Sequence, residues 1–413
     1  MRKKIIVVGA GPAGMMAAIR AGQLQQEVTL IEKNPILGKK LLLSGKGRCN
    51  LTNVCALDAF LARFSHHAQF LRDAFKKFFH QELINFFEKR GLRLKVERQL
   101  RVFPVTDKSN SVVAVLKKEL LTNQVKILFK TAVKDIVLAG GRAKGLILSD
   151  GRFIAADKII LACGGVSYSF TGSTGEGINL ARKLGHRIIP LRPGLVPLET
   201  RQKSVKALEG LTLKNIRLKF SDGQKQIISE IGELLFTGFG ISGPLVLSLS
   251  GRVVDLLGAD KKVHVEIDLK PALSREQLDA RILRELKANA KKEIKNVLKS
   301  LLPQRLVGVF LEMAKIDPAK KAGQMNRAER ESFVSLCKAW RLDITRPCAI
   351  EEAMITRGGV SLQDIDPRTM QSRLAEGLYF AGEMIDVDAD TGGFNLQAAF
   401  STGYLAGESA ALN

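Results

Sequence analysis

Three glycines in the run GAGPAG, at positions 9, 11 and 14, are spaced as G-x-G-x-x-G. They follow KIIVV, residues 4–8, which reads as a buried parallel strand, and they open an apolar helix, MMAAIRAGQL. A second short strand, EVTLIEK at 27–33, carries Glu32, 18 residues after Gly14, and then Lys33. Strand, glycine turn, helix and acid in this order form a dinucleotide signal far stronger than the glycines alone. Gly9 makes the tight turn, Gly11 lets the backbone approach a pyrophosphate, and Gly14 lets the helix pack on the strand. Pro12 and Ala13 start the helix, whose free N–H groups and positive end favour phosphate. Glu32 is expected to take the adenosine ribose hydroxyls. A carboxylate there disfavours a 2′-phosphate, so the site suits FAD or NAD rather than NADP.

A second stretch, LLLSGKGRCNLTN at 41–53, concentrates glycines, amides and a bare thiol behind leucines. Regular structure does not favour that mixture, whereas backbone that must approach something closely does. Its alternative reading is a tight turn stabilised by its own side chains, with no ligand. Cys49 likewise has two readings. Beside Arg48 its pKa would fall and it would serve as a proton donor. Otherwise it is a small thiol that packs.

The elements that must position these residues come from the rest of the chain. At 413 residues, two or three lobes are expected. Net charge is +23, from 64 basic and 41 acidic residues. That suits a polyanion such as RNA or an anionic membrane surface, and equally a generally basic solvated surface. The five cysteines, at 49, 55, 163, 337 and 348, form no CxxC and no Cys/His cluster. No metal site or disulfide framework is expected, and reduced thiols fit a cytoplasmic protein. The basic, apolar start is read as the dinucleotide motif rather than as a signal peptide. No apolar run reaches membrane-spanning length.

Residues 56–91 read as helical, with Phe75, Phe78, Phe79, Phe86 and Phe87 in the core and His66, His67 and His80 at surfaces or helix ends. Residues 124–165 read as a β-meander turning at Gly140-Gly141 and Asp150-Gly151 and ending in the buried strand IILACGG, with Cys163 in the core. Residues 191–270 read as short strands. Residues 271–346 read as helices, with 17 Lys and Arg against 9 Asp and Glu. The last part, from 347, returns to strand, glycine loop and helix. The expected organisation is a dinucleotide domain in two segments, 1–190 and 347–413. Between them lie an inserted β-rich subdomain at 191–270 and a basic helical subdomain at 271–346.

GAGPAG, GKKLLLSGKGRCNLTN, ACGG, TGSTGEG, FTGFGISGP and GLYFAGEMIDVDADTGGFNLQAAFSTG occur in this order. Together they resemble the flavoprotein family that includes aminoacetone oxidase, a bile-acid enone reductase and a ribosomal RNA dihydrouridine synthase. The resemblance covers nearly the whole chain. It implies an α/β fold: a glutathione-reductase-type Rossmann FAD domain with an inserted domain. More distantly, the chain is similar to the fumarate reductase flavoprotein, through Ala162–Gly165 and Ala381–Glu383. The resemblance implies FAD as cofactor. Ser44, Gly45, Gly47, Arg48, Cys49 and Asn50 would then wrap the pyrophosphate and ribityl region, with Lys39 and Lys40 adding charge near phosphate. Gly164 belongs to the same set, Gly382, Glu383 and Asp386 to the ribityl end, and the backbone N–H groups of Asn395, Leu396 and Gln397 to the flavin pyrimidine edge. The family usually has His where this chain has Gly238. No second G-x-G-x-x-G exists, so NAD(P)H would act as a transient reductant. The implied substrate is either uridine in ribosomal RNA or its precursor, or a small-molecule enone or amine. A flavin-binding protein without turnover is the remaining alternative. Arg48 and Cys49 are the candidate catalytic residues.

Overall fold

The computed structural model describes residues 2–259 and 261–413. The chain divides into two units, one running to Gly194 and resuming at Ile350, the other spanning Leu195–Ala349.

In the first unit, five strands form one parallel sheet: β1 (Lys4–Val8), β2 (Glu27–Ile31), β3 (Lys126–Leu128), β4 (Lys158–Leu161) and β5 (Leu378–Phe380). Their order is β5-β4-β1-β2-β3. Ile5, Ile6, Val7 and Val8 are all buried, as a central strand covered on both faces requires. Helix α1 (Pro12–Gln23) connects β1 to β2, so the expected strand–turn–helix–strand unit is present. The C-terminal helix, Phe394–Leu412, packs directly on α1. A Cβ at Gly403 would lie 2.2 Å from the Ala13 carbonyl oxygen, and one at Gly407 would lie 2.3 Å from that of Ala17. Only glycine allows two helix backbones to come this close.

Val133–Ala139, Arg142–Leu148 and Phe153–Ala155 form the expected antiparallel meander, and Gly140 and Gly141 both take the left-handed conformation its first turn needs. Residues 56–91 break into short helices, Leu57–Leu61, Arg72–Lys77 and His80–Glu88. Phe75, Phe78, Phe86 and Phe87 are buried and Phe79 is half-buried. Phe60 meets Phe75, Phe79 and Phe394 edge-on, with ring centroids 4.7–5.3 Å apart, the geometry aromatic quadrupoles favour.

In the second unit, six strands among the described residues close into a ring. Its order is Thr212–Ser221, Gly232–Phe236, Gly240–Ser242, Leu198–Thr200, Trp340–Pro347 and Val263–Asp268, which pairs back with Thr212–Ser221. Two expectations are corrected here. Residues 340–346, read as helical, are strand, with Trp340, Leu342 and Ile344 alternating into the core. Within the stretch read as strands, Pro244–Leu257 is a helix started by Pro at its first position. The β-rich and helical parts also share one core: Trp340 packs 5.4 Å from Phe236 of the sheet and 5.1 Å from Phe310 of the helix Gln304–Met313. Helix α2 (Arg275–Ala288) starts at a capping box, where Ser274 Oγ accepts the Gln277 N–H and Gln277 Oε1 accepts the Ser274 N–H. Among the described residues no helix is long and apolar enough to cross a membrane.

Candidate dinucleotide site

The glycine turn has the geometry its spacing predicts. Gly9 has φ 98° and donates its N–H to the Ile31 carbonyl at 2.8 Å. A Cβ there would lie 2.5 Å from the Ala162 carbonyl oxygen, and one at Gly14 only 1.8 Å from that of Gly9. Gly11 differs. A Cβ on it would meet no atom within 4 Å, and no side chain caps the helix that starts at Pro12. The need for glycine at 9 and 14 is internal to the fold, whereas Gly11 borders open space at an uncapped helix N-terminus. That is the cradle a pyrophosphate fits.

Glu32 is buried at the end of β2. Its Oε2 accepts the Ala10 N–H at 2.8 Å, and its Oε1 accepts both the backbone N–H and the amide of Asn34, at 2.8 and 2.7 Å. Oε2, holding one donor, keeps lone-pair capacity for a ribose hydroxyl. Asn34, which the sequence did not single out, also donates to the Thr171 carbonyl.

Lys33, named with the cofactor residues, and Lys39 and Lys40, expected to add charge near phosphate, each make contacts within the protein. Lys33 meets Thr174 and Glu176, and Lys39 donates to the Phe170 carbonyl. Lys40 donates to Glu383 Oε2 and Ser167 Oγ, both at 2.7 Å. Glu383 Oε1 also accepts the Thr356 N–H at 2.7 Å and the Ser167 hydroxyl at 3.0 Å. Thr356 Oγ1 in turn accepts the N–H groups of Val166 and Ser167. Lys40, Ser167, Thr356 and Glu383 thus tie together four segments of the first unit that are far apart in sequence. Ser167 and Thr356 were not anticipated. The signal available for Thr356 was its position two residues before the glycine pair in ITRGGV. Gly164, with φ 74°, lies beside Ser173, and Gly382, with φ 73°, donates its N–H to Thr402.

The loop 44–50 is a run of left-handed backbone: Gly45, Lys46, Gly47 and Cys49 all have φ between 57° and 81°. Ser44 Oγ donates to the Leu41 carbonyl and the Cys49 N–H returns to the Ser44 carbonyl, closing the loop on itself. Asn50 is different: its Oδ1 is buried with no partner among the described residues. A buried amide oxygen without a donor is costly, and a ligand donor here would remove that cost.

Two expectations about this loop are corrected. Arg48 is engaged within the protein rather than free. Its guanidinium lies over the Phe103 ring at 4.3 Å and is engaged by Asp107 at 2.8 Å and by Glu97. Hydrogen bonds to Glu97 and Asp107 raise its pKa further. Cys49 is not activated: it is fully buried, and desolvation pushes its thiol up to about 12, with only a hydrogen bond to Ser44 pulling the other way. A charge already matched by two carboxylates cannot act on its neighbour.

At the start of the C-terminal helix, the N–H groups of Asn395 and Leu396 have no acceptor among the described residues. That of Gln397 is taken by the Gly393 carbonyl, so it is not available to a ligand as expected. Gln397 instead turns its buried amide to Phe78 O and Ser401 Oγ, leaving Oε1 without a donor. The Asn395 side chain braces the preceding loop through Ala389 N–H and O. Asp386 is half-buried; burial first, then Asp388, raises its pKa, while His67, His66 and Arg357 oppose the rise. Arg357 and Asp388, both buried, form an ion pair at 3.5 Å. In the second unit, Gly238 faces the carboxylate of Glu209, which would lie 3.0 Å from a Cβ there. No group of His, Cys, Asp and Glu among the described residues is arranged to hold a metal.

Residues 3–409 match the family described as HI0933-like protein Rossmann domain. The chain is 33% identical to the 3-dehydro-bile acid delta(4,6)-reductase of Clostridium scindens, covering 99% of both chains. It is 29% identical to the ribosomal RNA dihydrouridine synthase of Escherichia coli, over 97% of this chain and 96% of that one. Among solved structures, the 3-ketosteroid-delta4-(5alpha)-dehydrogenase of Rhodococcus jostii has the same fold, with a TM-score of 0.53 at 15% identity over 100% of this chain and 97% of that chain. A Rossmann turn with open space at Gly11, on a parallel sheet and matched over almost its whole length, places this chain in the HI0933-like family of FAD-dependent oxidoreductases.

Proposed function

We propose that this protein is an NAD(P)H-driven reductase of a C=C bond conjugated to a carbonyl, acting on uridine in ribosomal RNA or its precursor to give dihydrouridine. The two names carried by its relatives describe one chemistry. A 3-oxo-4,6-diene and the uracil 5,6 double bond are both alkenes activated by a carbonyl. Each needs a hydride at one carbon and a proton at its neighbour. The observation that favours RNA is the charge of residues 271–346, 17 basic against 9 acidic.

Bound FAD would supply hydride transfer. The chain's own residues do the rest. With Gly9 and Gly14 shaping the turn, Gly11 and the N-terminus of α1 would receive the pyrophosphate, and Glu32 Oε2 would hold a ribose hydroxyl. Asn50 Oδ1 would accept from a ligand donor, and the Asn395 and Leu396 N–H groups would offer a positive helix end to an electron-rich part of the cofactor. Lys40 and Glu383 tie the helix Lys39–Leu43 to the turn Gly382–Met384. Cys49, sealed from solvent with its thiol pushed up to about 12, is not the proton source.

The test is anaerobic. The purified protein is reduced with NADH or NADPH, and its reoxidation is followed on adding ribosomal RNA transcripts. Reoxidation with a two-hydrogen mass gain on one uridine supports the reading. Reduced protein that ignores RNA contradicts it. The second reading, a small-molecule enone reductase, draws on the 33% identity to the bile-acid enzyme, and reoxidation by 3-oxo-4-ene steroids alone would select it.

A further inference from the structure

Helix α2 carries Arg281, Arg284 and Lys287, all exposed. Steps of three residues keep them on one broad face of the helix, over about 9 Å of its length. The chain then turns through Lys291 and Lys292, also exposed. Backbone bonds fasten this turn to a neighbouring segment, from Ala322 N–H to the Lys292 carbonyl and from Gly323 N–H to the Ala290 carbonyl, and so bring up exposed Lys321. None of these six cations has a carboxylate partner among the described residues.

Three carboxylates near them are already in use. Asp279 is held by Arg330 at 2.6 Å, Glu329 by Lys320 at 2.7 Å and Glu293 by Lys295 at 3.0 Å. These three acids therefore neutralise other cations; Glu285, on the same helix, forms no ion pair among the described residues, so the ridge presents six cations around one free acid. Burial first, then Arg281, lowers the pKa of nearby Lys270, the direction a neighbouring cation gives. Like charges held together cost stability unless a partner of opposite charge covers them. A ridge followed by a turn presents charges in sequence along a line, which matches a phosphodiester chain better than a single anion.

We propose that the ridge of Arg281, Arg284, Lys287, Lys291, Lys292 and Lys321 is the docking surface through which this protein holds the backbone of its RNA substrate. The proposal rests on the RNA reading above and adds where the RNA is gripped.

The test compares three flavin-loaded proteins for binding to a fluorescein-labelled single-stranded fragment of ribosomal RNA across a salt series. They are the wild type, the ridge variant Arg284→Glu/Lys287→Glu/Lys291→Glu, and a control, Lys117→Glu/Lys118→Glu, with exposed reversals on another helix. The ridge variant should bind roughly tenfold or more weakly, with the salt slope reduced by about 0.7 for each lost phosphate contact. The control should stay within about threefold of the wild type. A neutral variant, Arg284→Gln/Lys287→Gln/Lys291→Gln, should fall between, and its unchanged flavin spectrum guards against misfolding.

Equal binding by the wild type and the ridge variant, with dihydrouridine still formed, would overturn the ridge and leave the RNA reading standing. Equal losses in ridge and control would mean that net charge alone binds, and would also overturn it. No RNA binding by the wild type, with anionic vesicles bound through the ridge instead, would overturn both readings.

Discussion

Lys40 Nζ stands 2.7 Å from Glu383 Oε2, linking residues 343 apart in sequence. The pair, each partner about one-quarter exposed, anchors Ser167 and the Thr356 N–H as well. Glu383→Ala strips an acceptor from three donors at once, so it should cost about 2–4 kcal/mol, whereas Glu383→Gln should cost less because it can still accept. Urea denaturation of the flavin-free protein reads both, and equal stability of all three proteins would contradict the network.

Gly11 and Gly14 should separate folding from cofactor binding. A methyl group at Gly14 collides with the Gly9 carbonyl, so Gly14→Ala should lose about 3 kcal/mol or more, or fail to fold. Gly11→Ala has free space and should leave the flavin-free protein within about 0.5 kcal/mol of the wild type. It should still weaken FAD binding, by about tenfold or more, which fluorescence titration measures.

That contrast shows how much was legible in the chain. KIIVV, GAGPAG and Glu32 could be read because strand, turn and helix are encoded by neighbours a few residues apart. The destination of Arg48 could not, because Glu97 and Asp107 lie 49 and 59 residues away and only the fold brings them together. The same holds for Lys40 and Glu383. The helix Pro244–Leu257 was legible in principle: its buried Val246, Leu247, Ser250, Val253 and Val254 follow helical spacing, behind Gly243 and Pro244. Its apolar residues were read as strand because short apolar runs suit either element. The strand at Trp340 was hidden because no turn residue separates it from the helix Arg327–Lys338.

Arg48→Ala should leave FAD affinity within about threefold, since the guanidinium serves Glu97 and Asp107. A loss of a hundredfold or more in the same titration would return Arg48 to the phosphate.

Burial raises the Cys49, Cys163 and Cys337 thiols to about 12. A folded-state pKa above the unfolded one means that stability is intact below the unfolded value, near 9, and is lost as pH rises toward 12. Each thiol should contribute a decline of about 1.4 kcal/mol per pH unit in that window. Cys49→Ala should remove one such contribution while costing about 1–2 kcal/mol at neutral pH. Unfolding curves of both proteins across alkaline pH give the difference, and parallel declines would contradict a sealed thiol. In the native protein, Cys49 should also resist alkylation near neutral pH.

The most direct measurement is mass spectrometry of ribosomal RNA from cells with and without the gene, read for uridine carrying two extra hydrogens. The account predicts one or more sites lost on deletion, restored by the wild type, and not restored by Gly11→Ala. Ribosomal RNA with identical dihydrouridine in both strains would contradict the RNA substrate and leave the flavin fold to an enone of another kind.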